Sequence, residues 1–305
     1  MLRTLRFVLA FATLAVCVSA AQAATITVTN DSTVSPGSGT CTLAQAIAAS
    51  NAANGINAAW IGSAATTGNC ATADASPSLN TIVFATNVQA TQVFTATDNW
   101  WYGPNALPPI ASVIAIDGGT TGVTLVASHI GDPTPATANA FRFFYVSGGL
   151  SGELPAGTLV LRNLSLSGGV AKGGEGGAGG GGAGMGGAIF NQGSLQLVGV
   201  TLTANSANGG GSNGTGTGGG GGGMGADPTG GGGGFGGSLG GMYGGAGGTG
   251  AASGGAGGGG GFLGTAAGAS AGNSNGATGG GLGALGGYGG GFSGSYGDGG
   301  GGGNG

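Results

Sequence analysis

The stretch at residues 186–207 constrains the fold more than any other part of the sequence. It holds three short apolar segments, at 188–190, 195–197 and 200–202, and the Asn, Gly and Ser residues between them favour turns. Three short strands joined by tight turns are typical of one coil of a parallel β-helix. Because one coil cannot bury its own apolar face, neighbouring coils have to stack on it.

Short strand candidates of the same kind continue upstream of this coil. Gly-Gly, Asp-Gly or Asn separates many of them, and the connections are too short for crossover helices, which excludes a doubly wound α/β sheet. An antiparallel sandwich stays open as an alternative. The candidates lie at residues 81–85, 92–95, 113–116, 123–126, 141–146, 159–161 and 164–166.

Glycine dominates the second half of the chain. The sequence contains 83 glycines and only 5% charged residues. Residues 209–305 are glycine tracts interrupted by isolated large side chains, without the strict Gly-X-Y period of collagen. Two interpretations stay open for them: a largely irregular low-complexity region, or degenerate coils with long glycine loops. A smaller glycine-rich insert at 173–187 lies inside the coil region.

Residues 1–23 have the three parts of a secretory signal peptide. Arg3 and Arg6 form its basic start, an apolar run at 7–18 is too short to span a membrane, and a small-x-small pattern ends at Ala23. Cleavage leaves three basic residues against nine acidic ones, a net charge of −6 that argues against nucleic acid as partner. We expect an exported protein, extracellular or on the outer-membrane or cell surface, without a transmembrane segment in the mature chain.

Two cysteines survive cleavage, and we expect Cys41 and Cys70 to form a disulfide, because an exported chain meets an oxidising environment. A helix is predicted directly after Cys41. Thr42 and Gln45 make a capping box at its start, and Gly55 is a suitable stop. Leu43, Ala46, Ile47 and Ser50 fall on one face of this helix, which could cover the open end of a stacked sheet.

The order of these features resembles the N-terminal cap of many bacterial surface and secreted right-handed β-helix proteins. The matching residues are Cys-Thr-Leu-x-x-Ala-Ile-x-Ala-Ser-Asn at 41–51, the second Cys and Asn-Thr-Ile-Val-Phe at 80–84. In that family an Arg-Glu pair usually fills the positions held here by Ala44 and Gln45. Gly-Gly-Ala-Ile at 186–189 and the Leu-Thr-Ala-Asn-Ser-Ala segment ending at Ala207 look like coils of polymorphic outer-membrane and adhesin-type β-helices.

Residues that could carry catalysis are few and scattered. His129 is the only histidine, in a segment that favours a strand end and a turn. Polysaccharide-cleaving β-helix enzymes use clustered carboxylates, or a basic residue beside calcium, on adjacent coils. The spacing of Arg142 and Arg162 would allow them to stack on successive coils. The complete candidate set is Asp117, Asp132, Glu153, Arg142 and Arg162. We expect no enzyme, no cofactor and no metal site.

The densest aromatic cluster is Trp100-Trp101-Tyr102. Exposed, these rings could stack on the faces of sugars; buried, they would fill the junction between the cap and the first coils, which we favour. The partners that we expect are extracellular glycans or the surface of a host or neighbouring cell.

Together these features predict an all-β protein, a right-handed parallel β-helix with a short N-terminal cap helix. We divide it into a signal peptide at 1–23, a disulfide-bearing cap at 24–100, coils at 101–208 and the Gly-rich region at 209–305. The expected role is that of an exported surface or secreted structural, adhesin-like protein. A polysaccharide lyase or hydrolase of the same architecture and a carbohydrate-binding module are the alternatives.

Overall fold

The computed structural model describes residues 24–33, 39–57, 68–70, 79–129, 140–149, 154–174 and 182–211. The signal peptide, Asp132, Glu153 and residues 212–305 lie outside these ranges. Within them the chain is rich in strands and carries one helix. In chain order the elements are β1 Thr25–Val28, α1 Leu43–Ala53, β2 Asn80–Phe84, β3 Thr91–Phe94, β4 Val113–Asp117, β5 Val123–Ala127, β6 Phe144–Val146, β7 Thr158–Arg162, β8 Leu164–Ser167, β9 Val170–Lys172, β10 Ile189–Asn191, β11 Ser194–Val198, β12 Thr201–Thr203 and β13 Ser206–Asn208.

The helix begins and ends where the sequence predicts. The Thr42 hydroxyl accepts a hydrogen bond from the Gln45 backbone N–H at 3.3 Å, and the Gln45 side-chain oxygen accepts one from the Thr42 N–H at 3.0 Å. This reciprocal capping box satisfies two of the free N–H groups of the first turn. After Ala53 the chain turns at Gly55, whose φ of 73° is accessible to glycine at little cost.

A disulfide fastens the start of the helix, as predicted. The sulfur atoms of Cys41 and Cys70 are bonded, with their Cα atoms 4.8 Å apart. Beyond this bond α1 contacts β1, β2 and β4, and its buried face joins the main apolar core. That face consists of Leu43, Ala46 and Ile47. The helix therefore closes the core on the side of the first strands.

Every pairing between the named strands is parallel. A five-stranded sheet has the order β1-β2-β4-β7-β11, and a four-stranded sheet has the order β3-β5-β8-β12. Two smaller sheets pair β6 with β10 and β9 with β13. The antiparallel sandwich that the sequence left open is therefore excluded for the described residues.

The chain passes through these sheets in a recurring order. It runs from β4 in the five-stranded sheet to β5 in the four-stranded sheet and β6 in a small sheet, and then returns to the five-stranded sheet as β7. From there it passes through β8, β9 and β10 before it returns again as β11. Each return places a new strand beside the strand of the previous pass.

Apolar side chains of equivalent strands lie in register. In the five-stranded sheet Ile82 pairs with Ile116, and Leu161 pairs with both Ile116 and Leu197. In the four-stranded sheet Leu125 pairs with Leu166, which pairs with Leu202. Except for Leu197 and Leu202 in the last strands, these side chains are fully buried. Because side chains alternate along a strand, this register keeps one face of both sheets continuously apolar.

Membrane-spanning helices were also sought in this part of the chain. None of its helical structure is long and apolar enough to cross a bilayer.

Candidate functional site

The loop that carries Trp100, Trp101 and Tyr102 is held in place by the side chain of Asn105. Its amide nitrogen lies 2.9 Å from the Asn99 side-chain oxygen, 2.9 Å from the Trp101 carbonyl and 2.8 Å from the Gly103 carbonyl. The backbone of Asn105 also pairs with Asn99 on one side and bridges to Arg142 on the other. The loop is thereby fixed against the chain segment that leads into β6.

Four aromatic rings meet behind this loop. Trp101 and Tyr145 stack with their ring centroids 6.2 Å apart, and Tyr145 stacks on Phe190 at 6.1 Å. Tyr102 lies 5.2 Å from Tyr145 and 5.7 Å from Phe190. Tyr145 and Phe190 are register partners on β6 and β10. Four buried aliphatic residues pack with these rings in this second core, which is separate from the main one: Ala48, Ile56, Ala111 and Leu154.

Arg142 is buried beside these rings, with only 2% of its surface exposed. One terminal nitrogen donates to the Met185 carbonyl at 2.7 Å and the other donates to the Tyr102 carbonyl. The centre of the guanidinium lies 5.1 Å from the Phe190 ring centroid, a cation–π distance. Its Nε has no hydrogen-bond partner among the described residues. Arg142 thus joins the aromatic loop, β10 and the end of the glycine-rich insert.

The surroundings of Arg142 change its acid–base behaviour. Burial lowers the pKa of Arg142 to about 9, because the charged form loses its hydration, and the neighbouring Tyr145 offsets part of this shift. Burial also raises the pKa of the Tyr145 hydroxyl well above its ordinary value, and Tyr102 adds to this. At neutral pH this cluster therefore combines one desolvated cation with uncharged phenols.

The burial of the three rings at 100–102 decides which of them can contact a ligand. Trp101 and Tyr102 are fully buried, so neither ring has a free face for a sugar in this arrangement. Trp100 is half-buried. The interior position favoured from the sequence fits Trp101 and Tyr102, and stacking on a sugar stays a prediction for Trp100.

The candidate catalytic residues that the structure describes are dispersed. Asp117 accepts hydrogen bonds from the Gly119 N–H at 2.8 Å and from the Asn163 side chain at 3.0 Å, as a turn residue does. The His129 ring packs against Phe141 at 4.7 Å, with Nε2 lying 3.0 Å from the Gly168 carbonyl oxygen. In the described ranges no three His, Cys, Asp or Glu residues are grouped as metal ligands would be.

The stacking of the two arginines that their spacing would allow does not occur. Arg162 lies at the end of β7, in register with Asp117 and Val198. Arg142 precedes β6 and bridges to Asn105 instead. Residues about twenty positions apart lie here in two different sheets, so this spacing does not bring the two guanidinium groups together.

A buried polar cluster under α1 could not be identified from the sequence. The Ser50 hydroxyl lies 3.0 Å from that of Ser112 and accepts a hydrogen bond from the Asn80 amide at 2.9 Å. Asn51 donates to the Pro109 carbonyl at 2.7 Å and accepts from the Ser112 hydroxyl at 3.0 Å. Because these groups satisfy one another, the cluster joins the helix to β2 and β4 without a charge.

The opposite end of the sheets is open in the described part of the chain. Leu197 and Leu202 keep the register of Leu161 and Leu166, but they are 42% and 51% exposed because no described strand lies beyond them. A recess of about 510 Å³ lies there. Its lining includes Gly186, Ile189, Leu195, Leu197, Leu202 and Ala207. This surface, defined by β10 to β13 and the recess, is called the open end below.

No family model, curated protein or solved structure matches this chain. Its function therefore has to be argued from the geometry of its own residues.

Proposed function

We propose that this chain is an exported structural protein, a right-handed parallel β-helix that acts as an adhesin-like stalk or surface without catalytic activity. The observation that carries the proposal is the register of the apolar columns through successive parallel strands. A chain that returns to the same sheet after passing through the others, and keeps register each time, grows along one axis. Such a body is rigid and elongated because each coil contacts only its neighbours.

The disulfide of the cap and the N-terminal sequence support a location outside the cytoplasm. A disulfide between Cys41 and Cys70 persists in oxidising surroundings, and residues 1–23 have the pattern of an export signal. We therefore place the mature protein outside the cytoplasm, secreted or on the cell surface. Protease treatment of intact producing cells tests this location: the protein should be degraded or found in the medium. Full protection until the cells are lysed would contradict it.

A structural role is also consistent with the way in which the polar residues are used. Asp117 closes a turn, Arg142 holds backbone carbonyls together and Asn51 fastens the cap. In each case the side chain is occupied by a contact within the fold. The role that we propose needs these side chains only for shape and rigidity.

An activity assay separates this proposal from a polysaccharide-cleaving enzyme. The mature protein is incubated with acidic and neutral polysaccharides, with and without added calcium, and new reducing ends or unsaturated products are measured. We expect no turnover above the buffer control. Turnover that disappears in Asp117→Asn but persists in Asp98→Asn, a matched carboxylate change elsewhere, would overturn the non-catalytic role.

Extracellular glycans, or the surface of a host or neighbouring cell, are the partners that we propose. The partial exposure of Trp100 beside two buried aromatic residues makes it the one ring of that sequence available to a sugar. Binding to a glycan array is compared for the wild type and Trp100→Ala. A weaker signal for Trp100→Ala supports a carbohydrate contact at this ring, and equal binding by the two proteins would contradict such a contact.

A further inference from the structure

The outer face of the four-stranded sheet carries aligned hydroxyl groups. Because Leu125 and Leu166 lie in the core, the residues on either side of them point outward. One outward row follows the register through all the strands of this sheet: Thr91, Thr124, Ser165 and Thr201. A second row lies two residues further along each strand: Val93, Val126, Ser167 and Thr203. All of these residues are partly or fully exposed. The surface that the two rows form is called the hydroxyl face below.

The hydroxyl face is a regular array in two directions. Neighbouring strands lie about 4.8 Å apart, and the outward residues of one strand repeat at about 6.6 Å. The Ser-Leu-Ser segment at 165–167 and the Thr-Leu-Thr segment at 201–203 each place two hydroxyls on adjacent strands. Threonine is also stiff at χ1, because its branched Cβ restricts the rotamer. The sheet therefore holds these hydroxyls at fixed intervals.

The fold makes no use of these hydroxyls within the part of the chain that the structure describes. There, none of them forms a hydrogen bond with another side chain or with a backbone group. The buried hydroxyls of Ser50 and Ser112 behave differently, since they lie 3.0 Å from each other. A hydroxyl can donate one hydrogen bond and accept two. The hydroxyl face can therefore offer both donors and acceptors to a ligand.

The outer face of the five-stranded sheet has a different composition. One of its outward rows contains two charged residues between two valines: Val83, Asp117, Arg162 and Val198. Charged groups hold their hydration water strongly, and its removal is costly. The two rows of the hydroxyl face contain only Thr, Ser and Val. A neutral ligand with a regular surface therefore fits the four-stranded sheet better than the five-stranded one.

We propose that the hydroxyl face binds the surface of ice. Ice is neutral, its molecules both donate and accept hydrogen bonds, and the repeat of its basal plane is close to the distance between neighbouring strands. The hydroxyls would take the places of water molecules at the crystal surface, and the methyl groups of threonine and valine would pack between them. Because the sheet fixes these side chains beforehand, binding costs little conformational entropy.

Two other ligands fit the hydroxyl face less well. A calcium or magnesium ion takes mainly carboxylate and carbonyl oxygens, and the outward rows contain no carboxylate. The faces of sugars stack on aromatic rings, and these rows contain none. The inference rests on the described registers and on the location outside the cytoplasm proposed above, but not on the adhesin-like role.

Partitioning into ice tests the proposal with the full mature, disulfide-bonded chain. Ice is grown slowly from a buffered solution of this protein and an inert globular reference protein, and both are measured in the ice and in the liquid. We expect the ice to be enriched in the wild type over the reference by at least about tenfold. Thr124→Leu places a larger side chain in the middle of the array and should lower this enrichment at least about fivefold. The matched control is Thr158→Leu, an outward threonine of the five-stranded sheet, and it should partition as the wild type does.

A second pair of variants changes exposed positions, where a loss of folding is not expected. Thr201→Lys adds a charge to the hydroxyl face, and Ser194→Lys adds the same charge to the outer face of the five-stranded sheet. Only Thr201→Lys should reduce the enrichment in ice, and circular dichroism and urea unfolding should show that both variants are folded. Exclusion of the wild type from ice, or equal losses within this pair, would overturn the proposal.

Crystalline cellulose is the second regular surface to be tried, by sedimentation with the protein. No binding to cellulose, together with enrichment in ice, supports the proposal. Binding to cellulose that Thr124→Leu abolishes, without enrichment in ice, would overturn it and assign the hydroxyl face to a polysaccharide surface. Exclusion from ice would leave the adhesin-like role intact, and polysaccharide turnover would overturn that role without affecting the result with ice.

Discussion

The two ends of the stacked sheets are finished in different ways. At the first end, the row of register partners that contains Leu125 and Leu166 ends in Gln92. The Gln92 amide nitrogen donates to the Gln89 carbonyl at 2.6 Å, and its side-chain oxygen accepts from the Ser32 N–H at 2.7 Å. At the other end the same row ends in Leu202, half of which is exposed. The first end is closed by polar groups and a helix, and the second is apolar and open in the described chain.

The difference shows that a parallel stack has no intrinsic stop. A strand of these sheets buries its apolar residues only between two neighbouring strands, so each end needs a sequence of its own to satisfy the edge. Here the first end has the Cys41–Cys70 disulfide, the helix α1 and the polar cluster of Ser50, Asn51 and Ser112. Four experiments can break or sharpen this contrast.

Loss of the disulfide should have the largest effect. Cys41 and Cys70 are separated by 29 residues, and closing a loop of that length stabilises by about 3.5 kcal/mol in the chain-entropy model. We expect Cys41→Ser/Cys70→Ser to lower the free energy of unfolding by about that amount in urea denaturation. The reduced wild type is the control and should unfold at the same urea concentration as the Cys41→Ser/Cys70→Ser variant. A change below about 1 kcal/mol would mean that the cap does not need the bond.

Asn51→Ala tests the polar cluster beneath the helix. The substitution leaves the Pro109 carbonyl and the Ser112 hydroxyl without the Asn51 amide, in surroundings that exclude water. Losing such partners costs about 3 kcal/mol in total. Thermal and urea unfolding measure the loss. Asn208→Ala, an exposed amide in β13, should stay within about 0.5 kcal/mol of the wild type. Equal effects for the two variants would remove the special role of the cluster.

A pair of leucine substitutions compares the interior with the open end. Leu166→Ala should cost about 3 kcal/mol, as expected for a fully buried leucine. In the described chain Leu202 is half exposed, which alone would give about 1 kcal/mol. We therefore expect Leu202→Ala to cost about 2 kcal/mol less than Leu166→Ala. Urea denaturation measures both costs, and equal costs would contradict the contrast between the interior and the open end.

The smallest effect concerns Arg142, the buried charge on the side of the aromatic loop. Burial lowers its pKa to about 9 in the fold, so between that value and the higher ordinary pKa of arginine the unfolded chain binds more protons. Stability should therefore rise with pH in this window, by roughly 1 kcal/mol between pH 7 and pH 9.5. Arg142→Gln removes this group from the titration. The difference between the unfolding free energies of the two proteins, followed across pH, should show the rise, and a flat difference would contradict it.

The elements that follow local rules could be predicted from the sequence. Thr42 and Gln45 form the expected capping box, Cys41 bonds Cys70, and the strands at 81–85 and 123–126 lie within a residue of their predicted bounds. In each case the signal is local or depends on pairing two available cysteines. The apolar columns also agree with the alternation of inward side chains.

The candidate site was harder to predict because burial of a polar residue depends on what the rest of the chain places over it. Nothing near Arg142 in the sequence indicates that Met185 and Tyr102 will supply its acceptors. Ser50 is predicted on the buried face of the helix, but its partners lie far away in the sequence, Asn80 in β2 and Ser112 directly before β4. The spacing of Arg142 and Arg162 does not bring them together because Arg162 lies in the five-stranded sheet and Arg142 lies beside the small sheet of β6.

The parallel pairings also have a consequence for the order in which the strands can assemble. β7 pairs with the earlier β4, β8 with β5, β11 with β7 and β12 with β8, so each strand meets an edge that has already been synthesised. The helix α1 and Cys41 come before all of these strands in the sequence. The polypeptide can therefore assemble in the order in which it is synthesised, using each finished pass as the template for the next.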